Sequence, residues 1–456
     1  MQLDTIVIGT GQAGVPLAER LARTGQRVLV AERSLLGGTC VNYGCTPTKT
    51  MVASARAAHV ARTAGRLGVH ATDVRVDLAE VVRRKDAVVA RWITGIEKRL
   101  AGAGENLRLV RGAARFVGER EIELAGERHR AGTIVIDVGA RAAEPPVTGI
   151  DRVPWLDNRR VMELTELPEH LIVLGGGYVG CEFAQMFRRF GARVTVVQSG
   201  EHLLDREDAD ISEEVENVFR GEGIDLLLGS AATSVEGDAR RVRLSIERHG
   251  ALEGTHLLVA TGRRPNTDDL GCERAGVELD ERGYVKVDEH FRTTADGVFA
   301  VGDVTGGPQF THTAWDDHRL VFDVLMGRPT RGRSEQIVPY TAFTDPQVAG
   351  VGLNERAARA KGVEYVLGAI PFGHVARAIE TDETAGRLKV LVDPKSERIL
   401  GAAIVGAEAG ELVHVFAVLM QAGASVRNLV DMQIVHPTYS EGLQSVVMSI
   451  DRFGLR

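Results

Sequence analysis

Hydrophobic and polar positions change period along this chain in a pattern that occurs twice. Leu3 to Ile8 is an apolar run of strand length, and it passes straight into Gly9-Thr10-Gly11-Gln12-Ala13-Gly14. Val15 to Arg23 then takes up a helical period, and Arg27 to Ala31 is a second apolar run closed by Glu32. The order returns further on. Leu171 to Leu174 is a strand, Gly175-Gly176-Gly177-Tyr178-Val179-Gly180 a turn, Cys181 to Phe190 a helix, and Arg193 to Val197 a strand closed by Gln198. Strand, turn, helix and strand in this order predict parallel α/β units. Asp77 to Leu100 predicts a long helix whose Val81, Val82, Val88, Val89, Ile93, Ile96 and Leu100 form a packing face. Thr293 to Asp303 predicts a short strand ending in Gly302-Asp303, and Thr311-His312-Thr313-Ala314 the start of another helix.

The glycine turns carry the first chemistry. Glycine permits a tight turn and close approach of backbone to a pyrophosphate, which a helix N-terminus attracts. Glu32 stands where an acid accepts hydrogen bonds from a ribose. Two such units in one chain predict two dinucleotide sites, as in a flavoprotein that exchanges electrons with a nicotinamide. The second site ends in Gln198 rather than an acid. The Ser199–Asp205 loop after it holds Glu201 and Asp205 and no Lys or Arg, which leans towards NADH over NADPH. Asp303 is placed for the ribityl chain of a flavin, and the helix opening at Thr311 for charge on the reduced ring. Ala260 to Asn266 is read as the crossover that leaves the nicotinamide domain.

Composition narrows the class. The 456 residues allow about three domains, and 44% hydrophobic with 26% charged residues describes a globular protein. A net charge of −7 argues against a nucleic-acid or anionic-membrane partner. No apolar run has membrane-spanning length, and the start, MQLDTIVIGTG, lacks the basic region of a signal peptide. A cytoplasmic protein is expected. In that compartment a close cysteine pair points to redox, catalytic or metal chemistry rather than a structural disulfide.

Two of the four cysteines, Cys40 and Cys45, lie together in Gly37–Lys49, GGTCVNYGCTPTK. Their spacing is poor for zinc and no second pair exists. Cys181 and Cys272 read as small buried hydrophobes. The alanine-rich stretch after Cys45 predicts a helix, so Cys45 lies near a helix N-terminus that favours the thiolate. Such a thiolate can donate electrons to an oxidised flavin, leaving Cys40 to exchange with a substrate thiol. Lys49 follows Cys45 by four residues, placed to bias the flavin and to pair with Glu182. Near the C-terminus, Val435-His436-Pro437-Thr438-Tyr439-Ser440-Glu441 offers His436 as a proton acceptor and donor, with Glu441 at a helix start to orient it, although a His-Pro pair read alone is also a helix-cap feature. His312, Asp316, Asp317 and His318 could be taken for a metal cluster; a flavin-proximal helix with solvated charges is the reading adopted.

The GGTCVNYGCTPTK segment resembles the redox-active disulfide of the class I FAD-dependent pyridine nucleotide–disulfide oxidoreductases, a family that includes dihydrolipoamide dehydrogenase, glutathione reductase and mercuric reductase. The resemblance covers essentially the whole chain, with motifs in the family's order. It implies an α/β fold of two Rossmann-like domains, for FAD and NAD(P), plus an α+β C-terminal dimerisation domain. By it Cys40 is the interchange thiol, Cys45 the charge-transfer thiol, Tyr178 the side chain that gates the nicotinamide pocket, and Glu182 the partner of Lys49. His436 and Glu441 match the family's dyad, which acts on the disulfide of the other subunit and so implies a homodimer. The expected cofactor contacts are Gly9, Gly11, Gly14, Glu32, Thr39, Lys49, Ala114, Gly139, Asp303 and Thr311 for FAD, and Gly175, Gly177, Tyr178, Gly180, Gln198 and Gly262 at the nicotinamide side. The expected domains are 1–148 and 265–335 for FAD, 149–264 for NAD(P) and 336–456 for dimerisation.

Substrate signals divide. The dyad suits a dihydrolipoamide dehydrogenase. VTVVQ, LLDREDADI and GGPQFTHTAWDDHRLVF are similar to the mercuric-reductase-like branch, although the chain ends IDRFGLR without that enzyme's C-terminal cysteine pair and has no N-terminal metal-binding domain. The expected activity is NAD(P)H-dependent reduction, through FAD and the Cys40–Cys45 disulfide, of a small disulfide or a thiol-complexed soft metal ion. A flavin-binding redox sensor or complex subunit is the alternative from another class, and a flavin oxidase without a disulfide step a third.

Overall fold

A computed structural model describes residues 3–454, which form two compact units. Among the described residues the first comprises 3–50, 82–143 and 262–336; the second comprises 51–81, 144–261 and 337–454.

In the first unit the predicted strands pair in parallel. Leu3–Ile8 lies between Val28–Glu32 and Glu127–Ile136, with Ile8 opposite Ala31 on one side and Ile136 on the other. Leu107–Arg111 extends the sheet beyond Val28–Glu32, and Val298–Ala300 pairs with the end of Glu127–Ile136. All of Val28–Glu32 is buried, as a parallel strand covered on both faces requires. Its two faces feed two cores. Val7, Val28, Val30 and Val135 meet Leu17, Leu21 and Val321 from helices on one side, while Ile6, Ile8, Leu29 and Ile134 meet Phe116 and Val285 on the other. The strand expected over 293–303 is shorter than its apolar pattern. Only Val298–Ala300 pairs as a strand: a turn closed by Gly297, at φ +71°, occupies the positions before it, and Gly302, at φ +69°, opens a 3-10 turn over Gly302–Thr305 after it. The long helix is Leu78–Ala101, with Val82, Ile96 and Leu100 buried as its pattern predicts.

The second unit repeats the parallel arrangement in four strands, ordered Asp225–Leu227, Arg193–Val197, His170–Leu174 and His256–Val259. Its C-terminal part is a five-stranded antiparallel sheet, ordered Tyr340–Ala342, Gln347–Gly352, Ile399–Gly406, Arg387–Val392 and Val366–Pro371. Helices Ala409–Gln421 and Glu441–Met448 share its core through Leu412, Phe416, Leu443 and Val447. The architecture is the expected α/β fold with two Rossmann-like sheets and an α+β C-terminal region.

Candidate active site

Both glycine turns are built the same way. A Cβ on Gly14 would strike the carbonyl oxygen of Gly9, and one on Gly180 that of Gly175, so each helix can begin directly against its strand only with glycine there. The residue closing the second strand then holds the turn. Glu32 is buried and accepts from the Thr10 N–H at 3.0 Å, the Thr10 hydroxyl at 2.5 Å and the Ser34 N–H at 2.7 Å. Gln198 does the equivalent with its Oε1, which accepts the Gly176 N–H at 2.9 Å. The second turn is therefore braced by a neutral amide where the first uses a carboxylate. Gly11 and Gly177 complete the turns, and Gly177 caps the Tyr178–Phe190 helix. These cradles fit dinucleotides: the backbone is open where a side chain would block a pyrophosphate, and a helix starts at each.

Cys40 sits in the Gly38–Asn42 helix beside Thr39, and Cys45 is the first residue of the Cys45–Thr63 helix. The helix starts at the cysteine itself, closer to the thiol than the alanine pattern alone indicates. Cys45 Sγ lies 3.2 Å from the Thr311 hydroxyl, and Thr311 opens the Thr311–Leu325 helix. Two helix N-termini thus meet at the Cys45 sulfur, a setting that favours thiolate. Cys40 is half-buried; its hydrogen bond with Cys45, reinforced by burial, pushes its thiol well above the usual range. The two sulfurs are unequally placed: Cys45 is exposed at two helix N-termini and Cys40 is half-buried beside it. Lys49, half-buried one turn into the helix, lies among the groups that act in the opposite sense on Cys40.

The remaining positions expected near the flavin fall in the first unit. Asp303 follows the bend at Gly302 and pairs with Arg263 at 3.2 Å; burial pushes its carboxyl up. Gly139 has φ +64° and its carbonyl accepts the Asn266 N–H. Gly262, expected at the nicotinamide side, falls instead in the first unit, where its carbonyl accepts the Ala143 N–H, because the chain has already crossed back to pair Arg263–Pro265 with Ala140–Ala142. Ala114, between two short strands, packs against the outer core. In the second unit, Tyr178 opens its helix and donates to Glu207, while Glu182, buried one turn on, accepts the Phe343 N–H at 2.8 Å. His436 Nδ1 lies 3.0 Å from Glu441 Oε1, and Glu441 Oε2 accepts the Thr438 N–H at 2.9 Å. The Thr438 bond, then the His436 bond, holds the Glu441 carboxyl below its usual range. The dyad read from spacing is formed, with the imidazole exposed.

Cys181 and Cys272 are buried as expected. Asp316 is held by Arg331 and Arg319, and Asp317 accepts from the Gly302 N–H and from Gln336.

Sequence reasoning missed three groups. Glu207 and Tyr340 join Tyr178 across 133 residues of chain, a distance at which no spacing signal exists. Asp137, buried at the end of Glu127–Ile136, accepts the Gly14 N–H at 2.7 Å. Setting the two repeats side by side, IVIDVGA against LLVATGR, exposes it as an acid where the second unit has Ala260.

Comparison with known proteins agrees with this geometry. Residues 3–317 match the pyridine nucleotide-disulphide oxidoreductase family and residues 338–447 that family's dimerisation domain. The chain belongs to this family of FAD-dependent enzymes that use NAD(P)H. It is 36% identical to the probable pyridine nucleotide-disulfide oxidoreductase RclA of Escherichia coli, over 97% of this chain and 98% of the relative. A solved Cu(II) complex of that protein, described as an HOCl-induced flavoprotein disulfide reductase, superimposes with a TM-score of 0.89 at 34% identity, covering 98% of this chain and 99% of its own. A mercuric reductase of Bacillus cereus is 33% identical over 98% of this chain and 72% of its own length. A dihydrolipoyl dehydrogenase of Halobacterium salinarum is 36% identical over 96% and 94%. Among the described residues, no helix is long and apolar enough to cross a membrane.

Proposed function

We propose that this enzyme takes electrons from NAD(P)H and delivers them through the Cys40–Cys45 pair to a small disulfide or a thiol-complexed soft metal ion. Residues 1–148 and 265–335 hold FAD, 149–264 hold the nucleotide, and 336–456 form a homodimer. Bound FAD supplies the two-electron relay between nucleotide and disulfide. The observation that carries the reading is the inequality of the two sulfurs. Cys45, at two helix N-termini, is set to face the flavin as thiolate. Cys40, half-buried beside it, is the thiol that exchanges with the acceptor. Lys49 places positive charge beside the pair. His436, oriented by Glu441, takes the proton from the partner subunit's exchanging thiol as it attacks an acceptor disulfide, and returns it to the acceptor's leaving thiol.

Relatives named as mercuric reductases, and the Cu(II) complex of RclA, support the metal branch. The formed dyad and the dihydrolipoyl dehydrogenase relatives support a dithiol substrate as the second reading. Anaerobic titration with NADH, and separately NADPH, tests the scheme. A long-wavelength thiolate-to-flavin band is expected in the wild type and in Cys40→Ser, and no band in Cys45→Ser. A wild type with no band refutes the disulfide step. Offering lipoamide, glutathione disulfide, Cu(II) and Hg(II) to the reduced enzyme then sorts the acceptor. Fast oxidation by lipoamide selects the second reading, and oxidation by glutathione disulfide or the metal ions with lipoamide slow selects the first.

A further inference from the structure

Tyr178 directly follows the second glycine turn, and its hydroxyl is bound. It donates to Glu207 Oε1 at 2.7 Å, while Tyr340 donates to Glu207 Oε2 at 2.9 Å. The carboxylate is 4% exposed, and the two rings stack with centroids 5.9 Å apart and planes 22° from parallel. Glu207 therefore has one oxygen committed to each phenol, and a lost donor leaves a buried residue's carboxylate short of a partner.

Tyr340 is the fixed side of this pair. The segment that follows it runs along one face of the Tyr178–Phe190 helix, the face made by Tyr178, Glu182, Gln185 and Arg189 at spacings of four, three and four. Phe343 N–H donates to Glu182 at 2.8 Å, and Asp345 N–H donates to Gln185 Oε1 at 2.8 Å. The Gln185 amide donates to the Asp345 carbonyl at 2.7 Å, and Arg189 pairs with the Asp345 carboxylate at 2.6 Å. Three successive turns of the helix thus clamp the strand end, which fixes Tyr340 against a moving neighbour. Tyr178 stands at the open end of the face, with its hydroxyl held only through Glu207.

We propose that Glu207 is a positioning residue that latches Tyr178 over the nicotinamide site, with Tyr340 as the stop against which the ring closes. The proposal rests on the reading of the second glycine turn as the NAD(P)H site and of Tyr178 as its gate. To admit a nicotinamide the ring must swing, and swinging breaks the Tyr178–Glu207 bond while leaving a buried carboxylate half satisfied. The latch therefore keeps the open form scarce and weakens apparent nucleotide binding by that scarcity. It does not touch the hydride-transfer geometry once the ring has moved.

Rapid-mixing reduction of the FAD-loaded dimer by NADH and by NADPH, read as the apparent Kd and the limiting rate separately, tests it. Tyr178→Phe keeps the ring and removes the hydroxyl. Its apparent Kd is expected to fall about tenfold, the scale of one hydrogen bond to a charged group, with the limiting rate within twofold of wild type. Glu207→Gln is expected to shift Kd in the same direction, and the double variant to match Tyr178→Phe alone, because Glu207 acts through that hydroxyl. A purely structural Glu207 would lower thermal stability and leave Kd unmoved. Tyr178→Ala separates the two readings. If it changes nucleotide binding while Tyr178→Phe does not, the latch is wrong and the gate stands. If Tyr178→Ala also leaves binding unchanged, the gate itself is misassigned. Should Glu207→Gln fail to fold, Tyr178→Phe decides the matter by itself.

Discussion

Asp317 and His318 are neighbours on the Thr311–Leu325 helix, both buried, and burial drives their titrations in opposite directions. Burial pushes the Asp317 carboxyl up from 3.8 to about 6, against the pull of the Gln336 and Gly302 donors. Burial, with Arg20 nearby, pushes the His318 imidazole down from 6.5 to about 4, and the ring packs edge-on against Trp315. An acid with a raised folded value stabilises below its unfolded value, and that contribution is lost as pH rises through about 6. A histidine with a lowered folded value stabilises above 6.5, and that contribution is lost as pH falls through about 4. At about 1.4 kcal/mol for each pH unit separating folded from unfolded values, each effect is worth about 3 kcal/mol. Between pH 4 and 6 the folded state binds one proton more than the unfolded state at Asp317 and one fewer at His318, so the two slopes cancel. Asp317→Asn removes one side of the balance. Its stability is expected to rise relative to wild type by about 2 kcal/mol from pH 4.5 to 6.0, and His318→Gln to drift the other way by a similar amount. The assay is urea unfolding of the apoprotein in a Trp155→Phe background, in which Trp92 and Trp315 both report the first unit. Parallel pH profiles for wild type and both variants would refute the reasoning.

Other consequences are read more simply. Lys389 is 1% exposed and its ammonium bonds Asp208 at 3.0 Å, Asp210 at 2.9 Å and Glu355 at 2.8 Å; burial opposes its charge and the three carboxylates more than offset this. Lys389→Met should cost about 3–5 kcal/mol, seen as a lower melting temperature, because the carboxylates lose their cation. His436→Ala should slow the acceptor half-reaction by about a hundredfold while reduction of FAD by NAD(P)H, measured alone, is unchanged. Gln198→Glu can still brace Gly176 but adds charge beside the ribose; kcat/KM for NADPH should drop about tenfold with that for NADH preserved, and equal losses for both would mean Gln198 does not face the ribose.

What could be read from the chain alone was whatever the backbone encodes locally. A glycine turn between a strand and a helix spans a dozen residues, so both dinucleotide cradles were legible, as were the Cys40–Cys45 loop and the five-residue step from His436 to Glu441. The strand at Val298–Ala300 shows the limit of even local pattern: the run expected from Thr293 is displaced by a turn that closes at Gly297 with a positive φ. The unread part is the part built by topology. Glu207 reaches Tyr340 across 133 positions, and Lys389 reaches Asp208 across 181, so neither leaves a periodic trace.

Those long-range groups share a cause. The second unit must join its antiparallel C-terminal sheet to two helices of its parallel part, Tyr178–Phe190 and Ala209–Gly221, and polar residues make both joins. A hydrophobic seam would hold the parts together equally well but would not specify where Tyr340 comes to rest. Directional bonds from Glu182, Gln185 and Arg189 do specify it. If that is their purpose, loosening the far end of the ladder should reach the gate. Asp345→Asn keeps the loop's shape and weakens its pair with Arg189, so it should shift the apparent Kd for NAD(P)H in the same direction as Tyr178→Phe, by a smaller factor. A Kd equal to wild type, in a protein whose melting temperature has fallen, would show that the ladder serves stability alone.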